Sequence, residues 1–414
     1  MSLTSSPTAP RPAGAPAGLA RLLREAEWAT PGRLRAYLVL LALAHAIGLV
    51  ALLYLARGGV DPRGEPLGSD FVSFWTAGRL ALAHQAPSVY APGVDLAAER
   101  AFFGHPIGWY AFFYPPMFLL ACLPLGLLPY GSALAVWLVA TFAGFWAALR
   151  GLSRRFVHPL TLAAFPGVFS TLGHGQNAFL TTALFASGAS LLESRPAVAG
   201  ALFGLLCFKP QLAVVTPLAL LLAGRFRALA AMAATTAAVA AISALVFGVS
   251  TWAAFLAETP MARATLERGL VDPAKMQSVF AAVRVLGGGV GLAYGAQIAV
   301  ALAALAMLVA ALRRERQARR QFALVAAVTC LTTPFLLDYD LTLLIVPIAI
   351  LAEEGLAGGF RPYEKTVLVA AFLLPGFARP LAQYAHLPAS PVIIAALAAV
   401  LWRRMVCSDR ACAP

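Results

Sequence analysis

Three stretches of this chain, residues 36–56, 228–248 and 291–312, contain no Asp, Glu, Lys or Arg and are almost entirely apolar. A helix needs about 20 such residues to cross the hydrocarbon of a bilayer. A chain that repeats this pattern has no way to bury it all in one water-surrounded core, so lipid must be its solvent. Composition agrees: 60% of the 414 residues are hydrophobic and 12% are charged, about half the charged fraction of an ordinary soluble domain.

Further apolar segments lie at about 112–149, 157–173, 176–192, 196–208, 211–224, 321–337, 341–352, 366–378 and 391–404. Together they predict an all-α, polytopic transmembrane protein with about 12 spans. Several are short and broken by Pro or Gly, as is usual where helices line a cavity at membrane depth. The net charge of +13 comes from arginines clustered between the apolar runs. That is the positive-inside pattern of membrane proteins rather than a nucleic-acid surface. Residues 1–35 read as a cytoplasmic leader, disordered where Pro, Ala and Ser dominate up to about Gly18. Residues 36–404 form the transmembrane domain, and 405–414 form a cytoplasmic tail.

Arg21, Arg24, Arg33 and Arg35 place the N-terminus in the cytoplasm. Arg154 with Arg155, Arg225 with Arg227, the Arg313–Arg320 cluster and Arg403 with Arg404 mark further cytoplasmic turns. The opposite face then receives the 57–111 loop, the turns at Gly175 and Lys209, the 249–290 loop, the Asp338–Asp340 turn and the 379–390 loop. Two segments strain this alternation. The first half of 112–149 carries Pro115, Pro116 and Pro124 and fits a re-entrant piece. The 196–224 stretch must cross twice with halves that are short for full spans. Cys122, Cys207, Cys330, Cys407 and Cys412 show no CxxC spacing, so neither a zinc site nor a disulfide framework is indicated.

Polar residues interrupt the apolar runs at a few places. Asp70, in Ser69-Asp70-Phe71, begins an aromatic stretch suited to an amphipathic helix at the headgroup layer. It fits either a helix N-cap or a partly desolvated carboxylate that accepts a proton from a hydroxyl. Tyr114, before Pro115 and Pro116, fits an interfacial anchor or a substrate contact. His174, Gln176 and Asn177 gather at a glycine turn; amides that both donate and accept suit sugar hydroxyls. Lys209 has no acidic neighbour in sequence and must face water, an acid or a phosphate, or else snorkel to the interface. Asp338 and Asp340 read as a solvated turn, as partners for Lys209, or as groups that orient a substrate. This turn alone supplies too few oxygens for a metal. No Walker loop, dinucleotide fingerprint, zinc-protease motif or Ser-His-Asp signature is present. No stretch is polar and long enough to build a soluble nucleotide-sugar domain.

In this order the motifs resemble glycosyltransferase family 87, the alpha-mannosyltransferase-like branch of the GT-C superfamily. The residues that carry the resemblance are Ser69-Asp70-Phe71 with Trp75, Ala77 and Gly78; Tyr114-Pro115-Pro116; Gly175-Gln176-Asn177; Lys209-Pro210; and Asp338-Tyr339-Asp340-Leu341. The resemblance runs from about residue 36 to about 352. It implies a GT-C-like helical fold with a cavity on the outer face. It also implies inverting transfer of a mannose-like hexose from a polyprenyl-phosphate sugar to a lipid or glycan acceptor, at the outer face of the inner membrane. Asp70 is then the general base and Lys209 the group on the donor phosphate, with Arg79 second. Tyr114, His174, Gln176, Asn177, Asp338 and Asp340 fall to substrate binding. No soluble cofactor, metal or nucleic acid enters this scheme. A transporter or flippase, or an assembly protein without a site, are the competing classes.

Overall fold

A computed structural model describes residues 18–56, 59–62, 64–103 and 107–406. The described chain is all-α: helices joined by tight turns, with no strand beyond two isolated bridges, Val60 with Pro66 and Met276 with Leu337.

Proline sets many of the helix starts. Pro31, Pro92, Pro159, Pro166, Pro196 and Pro210 each stand in the first turn of a helix. There the missing N–H costs nothing and the fixed φ suits the helix. The residue before such a proline is steered away from helical geometry. This chops the apolar runs into short pieces.

Among the described residues, six helices are long and apolar enough to cross a membrane: Pro31–Leu55, Tyr130–Leu152, Phe226–Phe247, Val290–Leu312, Asp338–Gly358 and Glu364–Ala385. The apolar helices Pro116–Gly126, Ala178–Leu191, Pro196–Phe208 and Pro210–Leu222 are shorter. Each of the twelve segments expected from sequence contains helix, and six helices among the described residues have the length and composition of a full crossing. Packed inside a bundle, the short helices satisfy their end groups against protein rather than lipid. The first half of 112–149 is one of these pieces, Leu119–Gly126 with Pro124 inside it.

Close backbone approaches hold the bundle together. Gly78 and Gly126 let the helices Phe71–Leu82 and Leu119–Gly126 touch; a Cβ on Gly78 would lie 2.2 Å from the Cys122 carbonyl oxygen. Gly200 and Gly204 do the same against Ala228 and Met232 of the Phe226–Phe247 helix. Small residues four apart are the usual device for close helix crossing in lipid.

The leader is described from Gly18 onward. Gly18–Glu25 is a helix, docked by Tyr363 N–H to the Arg24 carbonyl (2.9 Å) and by the Thr366 hydroxyl to the Leu23 carbonyl (2.8 Å). Thr30 caps the next helix, which begins at Pro31 rather than at residue 36. Residues 1–17, and the tail with Cys407 and Cys412, lie outside the described residues.

The turns sort into two groups, as the arginines require. One group carries the ion pairs Arg225–Glu193, Arg320–Glu354 and Arg404–Glu364, at 3.8, 2.6 and 2.6 Å. At the other, the Tyr130 hydroxyl donates to the Leu67 carbonyl, and Ser390 donates to Gln277. The Tyr130–Leu152 helix of 23 residues runs from one group to the other, a length of about 35 Å at 1.5 Å per residue.

Candidate active site

The second group of turns encloses a cavity of about 190 Å³, room for a compact head group rather than a long chain. Its walls include Asp70, Tyr114, Gln176, Lys209, Lys275 and Asp340. These residues come from six separate segments of sequence, and the cavity exists only where the segments meet.

Asp70 sits just before the Phe71–Leu82 helix, at the N-cap position, yet its side chain makes no capping bond. Oδ2 accepts from Gln176 Nε2 at 3.0 Å, and Oδ1 lies 3.5 Å from Lys275 Nζ and 3.4 Å from Ser69 Oγ. The helix behind it is not an interfacial helix. Residues 71–78 are all buried, wedged into an aromatic cluster with Tyr114, Phe118 and Trp137. Its aromatic residues serve this core and not the headgroup layer. Burial by itself would raise the Asp70 carboxyl. Lys275, His174 and the Gln176 amide outweigh it and hold the group below the ordinary carboxylate range.

Gln176 is the hub. Gly175 takes φ +65°, which turns the chain sharply out of its helix. The turn is pinned by Trp137 Nε1 on the Gly175 carbonyl (3.1 Å) and by Asp70 N–H on the His174 carbonyl (3.1 Å). The Gln176 carbonyl oxygen then accepts from Tyr114 OH (3.1 Å) and from Asn177 N–H (3.0 Å). Its amide nitrogen donates to Asp70 and to Tyr339 OH (3.2 Å). The reverse orientation would set an amide oxygen against the carboxylate, so the network fixes the amide one way round.

Lys209 is held between helices by the break before Pro210. Its ammonium lies 2.5 Å from Asp340 Oδ1, 2.9 Å from Asn177 Oδ1 and 5.0 Å from the Tyr339 ring centre. Of the partners open to it, the lysine has therefore found an acid. Asp340 Oδ2 in turn accepts from Leu337 N–H.

Of the remaining candidates, all but Tyr114 stand back from the cavity. His174 touches Ser69 Oγ (3.3 Å) and the edge of the Tyr339 ring. Asn177 is fully buried behind Lys209. Asp338 pairs with Arg379 at 3.8 Å and is buried. Arg79 is not drawn in: its exposed guanidinium stacks over Trp75 at 5.0 Å, one helical turn away. Tyr114 is buried in the cavity wall and is no interfacial anchor.

Sequence reasoning missed Lys275. A signal existed: the chain has 31 basic residues but only three lysines, and two of them line this cavity. Trp109 and Tyr110 of the first loop also line it, with Tyr110 OH bonded to Glu65. Among the described residues, no group of three or more His, Cys, Asp or Glu is arranged to hold a metal ion.

The arrangement offers a held carboxylate acceptor, a buried neutral ion pair and a more exposed ammonium around one small cavity. That is equipment for binding an anionic, hydroxyl-rich molecule and taking a proton from it. Neither a curated protein nor a solved structure matches the chain. The model of glycosyltransferase family 87 matches residues 112–334, more than half of its length, taking in Tyr114, Gln176, Lys209 and Lys275 but stopping short of Asp70 and Asp340. With that match over a polytopic helical fold, the chain belongs to glycosyltransferase family 87 and is a membrane glycosyltransferase.

Proposed function

We propose that this enzyme moves a mannose-like hexose from a polyprenyl-phosphate donor to a lipid or glycan acceptor, by a single inverting displacement. The observation that carries the reading is the state of Asp70: a carboxylate on a cavity wall, bonded by neighbouring side chains and not spent on capping its helix. Asp70 takes the proton of the acceptor hydroxyl as that oxygen attacks the anomeric carbon. The bond from that carbon to the phosphate oxygen breaks on the opposite side, and the electron pair leaves with the phosphate. The leaving group is already an anion, so it needs cationic stabilisation more than a proton, and the scheme draws on no soluble cofactor.

The arginine-rich group of turns supports an orientation with that end in the cytoplasm and the cavity at the outer face of the inner membrane. A donor anchored by its lipid tail would then reach the cavity from the bilayer, with only its head group inside.

The test is transfer of radiolabelled sugar from polyprenyl-phosphate donors in membranes that carry the protein or its Asp70→Asn variant. Transfer should fall by about 10²–10⁴-fold, the usual contribution of a general base, at equal protein level. Full transfer by the variant would remove Asp70 from the chemistry.

A further inference from the structure

The two lysines at the cavity are in different states. Lys209 is 2% exposed, and its charge is balanced by Asp340 at 2.5 Å with Asn177 as a second acceptor. Drawing it away would leave a buried carboxylate unpaired, which is a severe cost in a dry interior. The Lys275 side chain is 21% exposed, and among the described residues its single hydrogen-bonding contact is the long one to Asp70, 3.5 Å. Its ring contact with Tyr339 is distant too, 5.9 Å to the centre. An ammonium has three donors to place, and this one has placed one weakly.

The backbone beneath Lys275 is fixed while its side chain is not. The turn Pro273–Lys275 is capped by Asp272 on Ala274 N–H (2.9 Å). It is also tied to the Asp338 turn through Gln277 N–H on the Leu336 carbonyl (2.7 Å). A rigid base with a rotatable four-carbon stem suits a cation that changes partner. Asp70 keeps Gln176 and Ser69 when the lysine leaves.

We propose that Lys275, not Lys209, receives the anionic phosphate of the donor, and that in leaving Asp70 to do so it makes that carboxylate a stronger base. The inference rests on the transferase reading and adds to it a coupling between donor binding and base strength. In the empty site the ammonium holds Asp70 as a weak base. Donor phosphate draws the ammonium off, and the carboxylate gains proton affinity only when a sugar is in place to be transferred. During the displacement the same ammonium neutralises the phosphate oxygen that receives the electron pair. The other titratable groups facing Asp70 are His174, Tyr110, Tyr114, Tyr130, Asp338 and Tyr339. Lys275 alone among this set is a lysine on the cavity wall within reach of a bound anion.

The experiment uses the full-length protein in proteoliposomes with a polyprenyl-phosphate sugar that the wild type transfers. Donor KM and kcat are measured across acidic to neutral pH for wild type, Lys275→Met and Lys275→Arg. Lys275→Met should raise donor KM about 10–100-fold, the loss of one charge-assisted contact, and Lys275→Arg should recover most of it. The acid limb of kcat/KM reports free enzyme and should move up by about one pH unit in Lys275→Met. In the wild type, the acid limb of kcat should lie above that of kcat/KM, because bound donor has already removed the lysine from Asp70. This last comparison needs no variant, and coincident limbs would overturn the proposal. So would a folded Lys275→Met enzyme with unchanged donor KM. If the wild type transfers no sugar from any such donor, the polyprenyl-phosphate reading fails and this inference goes with it. If the wild type is active and Lys275→Met matches it, this inference alone is lost.

Discussion

Lys209 Nζ and Asp340 Oδ1 meet at 2.5 Å although 131 positions separate them in the chain, and both side chains are at most 2% exposed. The pair joins the start of the Pro210–Ala213 helix to the turn that begins at Asp338. It holds one wall of the cavity as a neutral unit, so its first effect is on architecture.

Breaking the pair from one side should be worse than removing it whole. Lys209→Met or Asp340→Asn alone should each cost about 3–5 kcal/mol, because each strands a buried charge or its partners. The double variant should lose clearly less than the sum of the two. Thermal unfolding of the purified protein in detergent, read as a double-mutant cycle, measures the coupling. Strict additivity would mean that the two groups do not see each other.

Gln176→Leu removes the partner of Tyr114, Tyr339 and one oxygen of Asp70 at once. Stranding buried polar groups should cost about 1–3 kcal/mol. It should also raise the Asp70 carboxyl, since a donor to its ionised form is gone. The acid limb of the pH–rate profile should then move to higher pH. In the wild type that limb should lie below the ordinary carboxylate range, because Lys275, His174 and Gln176 together overcome the effect of burial.

Gly175→Ala should disable the site more than its size suggests. The residue adopts φ +65°, and an added Cβ would lie 2.6 Å from the Cβ of Phe71. Relief of that clash displaces the helix start that carries Asp70. Transfer should drop at least tenfold, while Gly173→Ala, where an added Cβ meets nothing within 4 Å, serves as the control.

The first loop should lose stability as pH rises. Asp95 and Glu99 lie one turn apart on the Pro92–Phe103 helix, and each has one buried oxygen without a partner. Burial pushes Asp95 up to about 7. Burial, then the neighbouring Asp95, pushes Glu99 up to about 9. An unfolded loop sheds both protons near pH 4, so between pH 4 and 9 the folded loop holds protons that the unfolded one has lost. Stability therefore falls with rising pH through that window. Hydrogen-exchange protection around Trp109 and Tyr110, which donate to this pair through Trp109 Nε1 and Tyr110 N–H, should fall from pH 6 to 9 after correction for the intrinsic exchange rate. Asp95→Asn with Glu99→Gln should flatten the dependence.

The apolar runs and arginine clusters determined the class of solvent, the all-α fold and which turns gather together, because each is a local property of consecutive residues. They also marked Asp70, Gln176, Lys209 and Asp340 as polar groups that interrupt apolar runs. What they could not settle was partnership. That Lys209 is already paired, that Arg79 stacks on Trp75 away from the cavity, and that Lys275 faces Asp70 from 205 positions away depend on how helices cross, and crossing is decided by side-chain packing across the whole bundle. The role of the short helices is decided the same way: a short, proline-started helix is viable only once its neighbours replace the lipid around its ends, and that is a fact of the tertiary structure.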